Sequence, residues 1–565
     1  MSLKEIVTLQ IGHYANFVGT HFWNIQESSF TYGGQGDADT KEVNHDVLFR
    51  EGQTLQGEVT YTPRMVCVEL KGSLNTLRQE GSLYDTGKEN EVNWSGDVTL
   101  HKAPRVSKNK FLDNLDKMEA EQTQQEYMET GEEEETSAEA KTSEVNVFEP
   151  RTYNLDSTVS VWSDFLRIYL HPKTVCMLQD YSHKNEAQPF DVYSMGVQSC
   201  QNADFFDDFE DRLRFFVEDC DQMQGFHISV DWYNGFGGTA AKILQFLDDE
   251  YQNKTRLTFG LSPAVLPDST PLDRVNRILN CCLSLEKCSS HSSLFLPLSL
   301  SDGLWKSMGK PRDFPYLTYK ADLDYHTSGI LAATLDTMSL PYRKETCSSH
   351  IADLTGAFNN LGRKIVAVST SLPFPLAHDG TFMDSLLRHK GNVPWYSVTP
   401  HVCASTNSFL QSCVVRGIPY DKINRKIPNP LVSGSLSQSM NLNEILETYL
   451  SETHPHCYST VNVVRDACKT SLPFPNIFDR RLNSQGQITR TERPAVQRVE
   501  NIPMVTSIQS SPDIAAMVTS LHTSASSLNI RRHHRYLEAG LDIDEYKNIL
   551  DNLQSLSQCY QTDFY

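Results

Sequence analysis

The sequence predicts a layered α/β fold built on a mainly parallel sheet. Three observations predict it. Strand-length apolar runs alternate with segments of helical periodicity. One run, "FHISV", leads into the turn Gly235-Phe236-Gly237-Gly238-Thr239, and an amphipathic stretch with Ile243, Leu244 and Leu247 on one face follows. Strand, glycine turn and helix in that order point backbone N–H groups and a helix N-terminus at a phosphate. The chain of 565 residues is also long enough for about two to four domains.

The elements follow in order. "EIVTLQIG" (Glu5–Gly12) alternates and ends in glycine. "NFVGTHFWNIQES" places Phe17, Val18, His21, Phe22 and Ile25 at helical spacing, which completes a first β-loop-α unit. "TPRMVCVEL" (Thr62–Leu70) reads as a second buried strand, and "KGSLNTLRQEG" as a turn and a helix start. From about Ala103 to Pro150 usable periodicity stops. Glu119 to Glu144 holds ten acidic residues against one basic residue, Lys141. A self-repelling, disordered insertion is expected there, with an acidic docking tail for a basic partner as the alternative. Order resumes at "STVSVWSDFLRIYLH". "DFFDDFEDRLRFFVEDC" reads as a helix with Phe206, Phe209, Leu213 and Phe216 on its apolar face.

Beyond the glycine turn, "LDRVNRILNCCLSLEKC" reads as a helix and "SSLFLPLSL" as a strand. "DYHTSGILAATLDTMSL" is a long helix stopped by Pro341. "HIADLTGAFNNLG" is a helix, followed by the strand "RKIVAVST" and the turn "SLPFPLA"; "FLQSCVVRG" is a later strand. Ile427–Ser439 is rich in Pro, Ser and Asn and reads as loop. From Asp513 two helices are expected, "DIAAMVTSLHTSASSLNIRRHHRYLEAG" and "DIDEYKNILDNLQSLSQCYQ", with Gly540 ending the first.

Composition narrows the function. A formal net charge of −21 argues against a nucleic-acid role, because phosphate binding calls for a basic surface. The thirteen cysteines include no C-x-x-C, so reduced thiols in the cytosol are expected. The eighteen histidines include no H-x-x-x-H or H-E-x-x-H, so no zinc site is expected. No uncharged apolar run approaches the ~20 residues needed to span a bilayer. The start has strand character and lacks the Arg-rich pattern of a transit peptide. Any membrane association is therefore expected to be peripheral.

Taken in order, these segments resemble tubulin from end to end, and most closely its divergent relative, the misato family. "EIVTLQIGHYANFVGTHFW" resembles tubulin's first strand, phosphate loop and helix. "YTPRMVCVELKGSL" resembles the second strand and its loop, and "DCDQMQGFHISVDWYNGFGGTAAK" the strand into the signature glycine loop. "VNRILNCCLSL", "DLDYHTSGILAATLDTMSLP" and "HIADLTGAFNNLGRKIVAVSTSLPFPL" are similar to the ribose-contacting helix, the core helix and the catalytic loop with its helix and strand. "VWSDFLR", "RLRFFVEDCDQMQGF" and "HHRYLEAGLD" resemble the misato family in particular. The resemblance implies a tubulin-like, Rossmann-type nucleotide-binding domain, a central core helix, an α/β intermediate domain and a C-terminal helical pair. It divides the chain into an N-terminal segment at 1–102, the acidic insertion at 103–150, and the rest of the nucleotide-binding-type domain at 151–321. The core helix follows at 322–341, the intermediate domain at 342–505 and the C-terminal helices at 506–565.

The resemblance also implies a guanine-nucleotide site, and this sequence departs from it. Gly12, Asn16 and Gly19 match the first phosphate loop, but His13-Tyr14 replaces a Gln-Cys pair. His13 either donates to a phosphate or packs where the ligand sat. In the second loop, the positions that hold Mg²⁺ through water are Glu69 and Lys71. Lys71 repels a divalent cation but can pair with phosphate oxygens, so no metal is expected. The signature loop keeps Gly237, Gly238 and Thr239, with Ala240 and Lys242 in place of glycine. A Cβ there obstructs backbone approach to phosphate, and a positive φ would cost about 1–2 kcal/mol. Asn276 matches the ribose/base asparagine. Asp324 stands at the second guanine-reading position, where it either accepts from guanine or caps a helix. Asp353 matches the catalytic loop's Asp, but the residue three positions on, where tubulin has its water-activating carboxylate, is Gly356. The site is expected to be degraded, with no catalytic residue and no cofactor; the alternative is that GTP or GDP binds without turning over.

The misato resemblance implies a non-enzymatic regulator of mitochondrial distribution, morphology and fusion, acting from the cytosol at the outer membrane. The implied partners are proteins: tubulin, a chaperonin or an outer-membrane partner. The alternative is a guanine-nucleotide-binding factor in microtubule or spindle assembly, linked to a chaperonin.

Overall fold

The computed structural model describes residues 4–30, 42–53, 59–79, 106–118, 121, 153–266, 270–346, 349–389, 393–404, 407–423 and 441–561. The chain opens with β1 (Ile6–Ile11) and α1 (His13–Glu27), followed by an antiparallel hairpin of β2 (Phe49–Gln53) and β3 (Val59–Pro63). β4 (Met65–Lys71), β5 (Val175–Ser182), α2 (Tyr193–Ser199) and α3 (Ala203–Glu218) come next. Then follow β6 (Gly225–Asp231), α4 (Phe236–Glu250), β7 (Thr255–Leu261), α5 (Pro271–His291) and β8 (Leu294–Leu298). Six of these strands form one parallel sheet in the order β5-β4-β1-β6-β7-β8. Counted within the sheet, that is 3-2-1-4-5-6, the doubly wound order. Its direction reverses between β1 and β6, and such folds hold ligands at the carboxyl ends of the strands there.

A parallel sheet covered on both faces buries side chains on both, and its strands are buried throughout most of their length, with a few polar residues such as Thr8, Gln10, His227 and Thr258 among the apolar ones. In β1, Val7, Leu9 and Ile11 join the core under α3, α4 and α5. Ile6 joins the core on the other face, with Val18, Phe22 and Trp23 of α1.

The core helix α6 (Asp324–Ser339) is buried from Tyr325 to Ser339. A helix enclosed on all sides has no solvent-facing polar stripe, and its buried polar residues, Thr334, Asp336 and Thr337 among them, bond within the protein. Beyond it lie α7 (Ile351–Phe358), β9 (Ala367–Ser371), α8 (Phe382–Leu387), β10 (Tyr396–Ser397) and β11 (Leu410–Arg416). They are followed by α9 (Leu442–Thr453), β12 (Tyr458–Val464), β13 (Cys468–Lys469), β14 (Asn501–Ile502) and β15 (Met504–Ser510). The second sheet runs β10-β9-β15-β11-β12. α10 (Asp513–Ser526) and α11 (Ile543–Gln558) return to pack on α5 of the first domain.

A buried ionic cluster joins these units. Asp336 of α6 accepts from Arg343, 2.7 Å away, from Arg416 of β11 and from Gln26 of α1. Arg343 also donates to the Gln26 side-chain oxygen at 2.7 Å. Every described cysteine is a free thiol, and no described helix is long and apolar enough to cross a membrane.

Several expectations need correction. Residues 72–79 form turns, not a helix start. In α3, Phe205 is buried rather than Phe206. The expected first C-terminal helix stops at Ser526. A 3-10 turn (Ile530–Arg532) and a short helix (His534–Glu538) follow it. Ser524, Ser526, Ser527 and Asn529 are poor interior residues because their side chains bond locally to the backbone, and Asn529 takes the Arg531 N–H at 3.2 Å. The expected boundary at 505/506 falls inside β15, which belongs to the second sheet.

The expected insertion from 103 is corrected at its start. Residues 110–118 are helical, and Phe111 and Leu112 are buried in the core beside Leu155, Trp162 and Phe165. Phe111 meets Tyr153 edge-on at 5.6 Å, and Asn109 donates to the Asp164 carbonyl at 2.6 Å. Phe111, Leu112, Leu115 and Met118 do stand at helical spacing, a short signal that the sequence reading passed over beside the long acidic run. The acidic run at 122–150 and the loop at Ile427–Ser439 lie outside the described residues. Replacing 122–150 by a short Gly/Ser linker is expected to leave the melting temperature nearly unchanged. Phe111→Ala should cost about 3 kcal/mol, as large-to-small core changes do. A linker variant that fails to express, or a Phe111→Ala protein that melts like wild type, would overturn this division.

Candidate functional site

The reversal between β1 and β6 places the candidate site at Ile11, Gly12 and Asp231. Gly12 has φ +120°, open to glycine, and a Cβ on it would lie 2.5 Å from the Asp231 carboxyl carbon. Asp231 ends β6. One of its oxygens is 2.9 Å from the Tyr14 nitrogen and the other 2.8 Å from the Ala15 nitrogen. These are first-turn N–H donors of α1, the groups that a phosphate at a helix N-terminus would take. The chain's own carboxylate therefore fills the anion position. Burial pushes the Asp231 carboxyl up to about 8, opposed by the Tyr14 and Ala15 N–H groups. Sequence reading did not single out Asp231. The available signal was an acidic residue at the end of a strand that leads straight into the glycine turn.

Beside it, Glu69 is fully buried and satisfied from within. It accepts from the Leu70 N–H at 2.9 Å, Asn16 at 3.1 Å and the Trp162 indole at 3.1 Å, and pairs with His13 at 3.0 Å. Burial opposes charge on both members of the pair. On His13 the Glu69 carboxylate outweighs burial and raises the pKa; on Glu69 the His13 charge and hydrogen bond lower it. The two side chains hold each other, and Glu69 spends its oxygens on His13, Asn16, Trp162 and the Leu70 N–H. The His13 ring also lies against His183, with centroids 4.1 Å apart. Lys71 is exposed at the end of β4, and its carbonyl accepts the His183 N–H at 2.9 Å. Asp324 opens α6; burial pushes its carboxyl up to about 6 against the charges of His13 and Lys184. Among the described residues, no group of three or more His, Cys, Asp or Glu could hold a metal ion.

The signature loop is helical from Phe236. Its N–H groups are taken internally: Gly235 donates to the Phe190 carbonyl and Phe236 to the Asn234 side chain. Gly237 donates to the Asn234 carbonyl, and Gly238 and Thr239 donate to that of Gly235. The glycines serve helix packing. A Cβ on Gly238 would sit 1.9 Å from the Tyr193 carbonyl of α2, and one on Gly237 would sit 2.1 Å from the Ser284 hydroxyl of α5. Thr239 donates to the Gly196 carbonyl at 3.4 Å. The expected strain at Ala240 and Lys242 is corrected: both lie within α4, and neither has a positive φ.

Asn276 donates to Asp191 at 3.0 Å, and Arg535 grips the same carboxylate with two nitrogens. Asn280, which sequence reading missed, makes four bonds. It donates to the carbonyls of Asp191 and Tyr233 and accepts from the Tyr193 N–H and the Tyr536 hydroxyl. An asparagine inside an apolar helix was the only signal for it. The two residues clasp α5 to the C-terminal segment.

Asp353 and Gly356 lie on α7, at the opposite end of the sheet. There Ile351 donates its N–H to Gln224, next to the start of β6, at 3.0 Å. Asp353 caps its own helix, accepting the His350 N–H at 2.7 Å. Nothing lies within 4 Å of a Cβ on Gly356. The structure thus brings Gly12, His13, Asn16 and Asp324 to one crevice, with Lys71 at the end of β4. It gives Gly237, Gly238, Thr239 and Asn276 internal partners.

The crevice has a pH signature. A histidine whose folded pKa is raised stabilises fully below its unfolded value near 6.5 and loses that contribution as pH rises through the folded pKa. A carboxyl raised to about 8 likewise loses stability as pH rises from its unfolded value towards 8. The melting temperature is therefore expected to fall between about pH 6.5 and pH 8.5. Asp231→Asn, which cannot titrate, should flatten the slope; an unchanged slope in that variant would refute the assignment.

A sheet in doubly wound order, a core helix buried on all sides, and a second sheet beyond it define a tubulin-like protein. In agreement, residues 152–344 match the Tubulin domain and residues 4–117 match the Misato Segment II tubulin-like domain. The chain is 35% identical over 576 residues to "Protein misato homolog 1" of Danio rerio, covering 99% of this chain and 97% of that protein. It is 34% identical to the Homo sapiens protein of the same name, covering 99% and 98%, and 30% identical to "Protein misato" of Drosophila melanogaster, covering 100% and 99%. The chain belongs to the misato family.

Proposed function

We propose that this chain is a non-enzymatic, tubulin-like regulator of mitochondrial distribution, morphology and fusion. It acts from the cytosol as a peripheral protein of the outer membrane, through protein partners. The cellular setting comes from the family resemblance. The absence of nucleotide chemistry rests on one observation: the Asp231 carboxylate occupies the N-terminus of α1, 2.8–2.9 Å from its two nitrogens. A second acceptor there would find the Tyr14 and Ala15 N–H groups already taken by the buried Asp231 side chain. Glu69 paired with His13 and the filled first turn of α4 support the same reading.

The test has two arms. Denatured native protein, chromatographed for nucleotides, should release neither GDP nor GTP; stoichiometric release would refute the closed site. Depletion in cells should collapse or fragment the mitochondrial network, and the full chain should restore it. A network unaffected by depletion would refute the mitochondrial role.

A further inference from the structure

We propose that a cleft at the edge of the second sheet, unrelated to the β1–β6 crevice, binds an aromatic carboxylate. The cavity has a volume of about 240 Å³. An engineered apolar cavity of about 150 Å³ holds benzene, so this one admits a ring with a short chain. Its walls are apolar and aromatic: Phe314 and Tyr316 from the segment before α6, Tyr396 of β10, and Ile488. Phe314 and Tyr396 meet edge-to-face at 5.7 Å, which leaves ring faces for a third ring to pack against.

Two features separate this cleft from an ordinary surface groove. Tyr316 has φ +68°, a left-handed conformation that is unfavourable for a residue other than glycine. Its carbonyl accepts the Asp479 N–H at 2.9 Å, and the Arg481 guanidinium sits 5.1 Å from its ring centroid. Strained residues held this way cluster at ligand clamps. The second feature is Arg388, which lines the cleft at the end of α8. Its guanidinium is exposed and makes no hydrogen bond or ion pair among the described residues, in a chain of net charge −21. Burial and the Arg388 charge lower the pKa of the neighbouring His389, so His389 is neutral near pH 7. Among the described residues at the cleft, Arg388 carries the fixed positive charge that is not already paired, since Arg481 is bound to Asp479, and its planar fork matches a carboxylate.

The ligand is either a free aryl acid or the C-terminal aromatic residue of a peptide. Saturation-transfer NMR and calorimetry on the full chain distinguish them, using 3-phenylpropionate, its amide, and N-acetyl-Gly-Gly-Phe as acid and as amide. A charge-assisted hydrogen bond contributes about 1.5–3 kcal/mol, so the acid should bind at least about tenfold tighter than the amide. Arg388→Gln should bring that ratio close to one, and Ile488→Trp should block both probes by filling the cavity. Tighter binding of the peptide identifies a protein partner, and tighter binding of the free acid identifies a small molecule. No binding at millimolar probe, equal affinity for acid and amide, or an acid preference that survives Arg388→Gln overturns the proposal.

Discussion

Asp336→Ala is expected to cost about 3–5 kcal/mol, the largest loss of any single substitution considered. Asp336 and Arg343 are at most 2% exposed, and Arg416 is 2% exposed. Removing the carboxylate leaves two guanidinium groups facing each other in a dry core. It also strips Gln26 of an acceptor, so α1, α6 and β11 lose their shared anchor. The cluster as a whole adds less, because desolvation offsets much of its attraction. Replacing all three charges with Asp336→Leu, Arg343→Met and Arg416→Met should therefore recover most of what Asp336→Ala loses. Burial raises the Asp336 pKa, but Arg416 and Arg343 outweigh it and hold the carboxyl below its ordinary value. A depressed carboxyl stabilises above its unfolded value near 3.8 and loses that contribution as pH falls through the folded pKa. Urea unfolding of the single and triple variants at neutral and acidic pH measures both effects. A single variant as stable as wild type, or a triple variant weaker than the single, would refute the account.

The sequence carried the fold in its periodicities. β4 and β8 are buried on both faces and read as largely apolar runs, β1 read by its alternation, β7 was not singled out, and α6 read as a long helix although it carries Asp336 among its buried residues. Elements that one face exposes or that are very short gave weaker signals, among them β12 with Tyr458 69% exposed and the two-residue β10. The site was legible in position but not in state. Gly12, His13, Asn16 and Asp324 lie at one crevice. Whether a glycine loop cradles phosphate or packs helices depends on what lies across from it. Tyr193 and Asp231, distant in sequence from the residues they meet, carry no local mark of that contact. The contrast of Asn276 with Asn280 makes the same point, since one helix presents both and only the fold shows that Asp191 and Tyr536 claim them.

GTP turnover by the purified chain is expected to stay at the uncatalysed background, alone or at high protein concentration with Mg²⁺. Phosphoryl transfer needs the phosphate held, its charge neutralised and the water activated. Asp231 occupies the N–H donors that would hold it, and Glu69 is committed to His13 rather than to a cation. Gly356 provides no carboxylate at the far end of the sheet, where a neighbouring copy would present one. General acid–base help is typically worth about 10²–10⁴-fold, so its loss alone makes turnover negligible. Gly356→Glu should fold well, because its side chain enters open space and glycine within a helix is about 1 kcal/mol worse than a helix former. It should nonetheless release no phosphate, since the other two requirements stay unmet. Asp231→Ser should act differently. It frees the Tyr14 and Ala15 N–H groups and shortens the side chain that fills the anion position, so affinity for GTP or inorganic phosphate should rise at least about tenfold, still without turnover. Phosphate release and calorimetry on wild type, Gly356→Glu and Asp231→Ser separate these outcomes. Steady hydrolysis by wild type, or an Asp231→Ser protein with no gain in phosphate affinity, would show that the carboxylate at the helix N-terminus is not what closes the site.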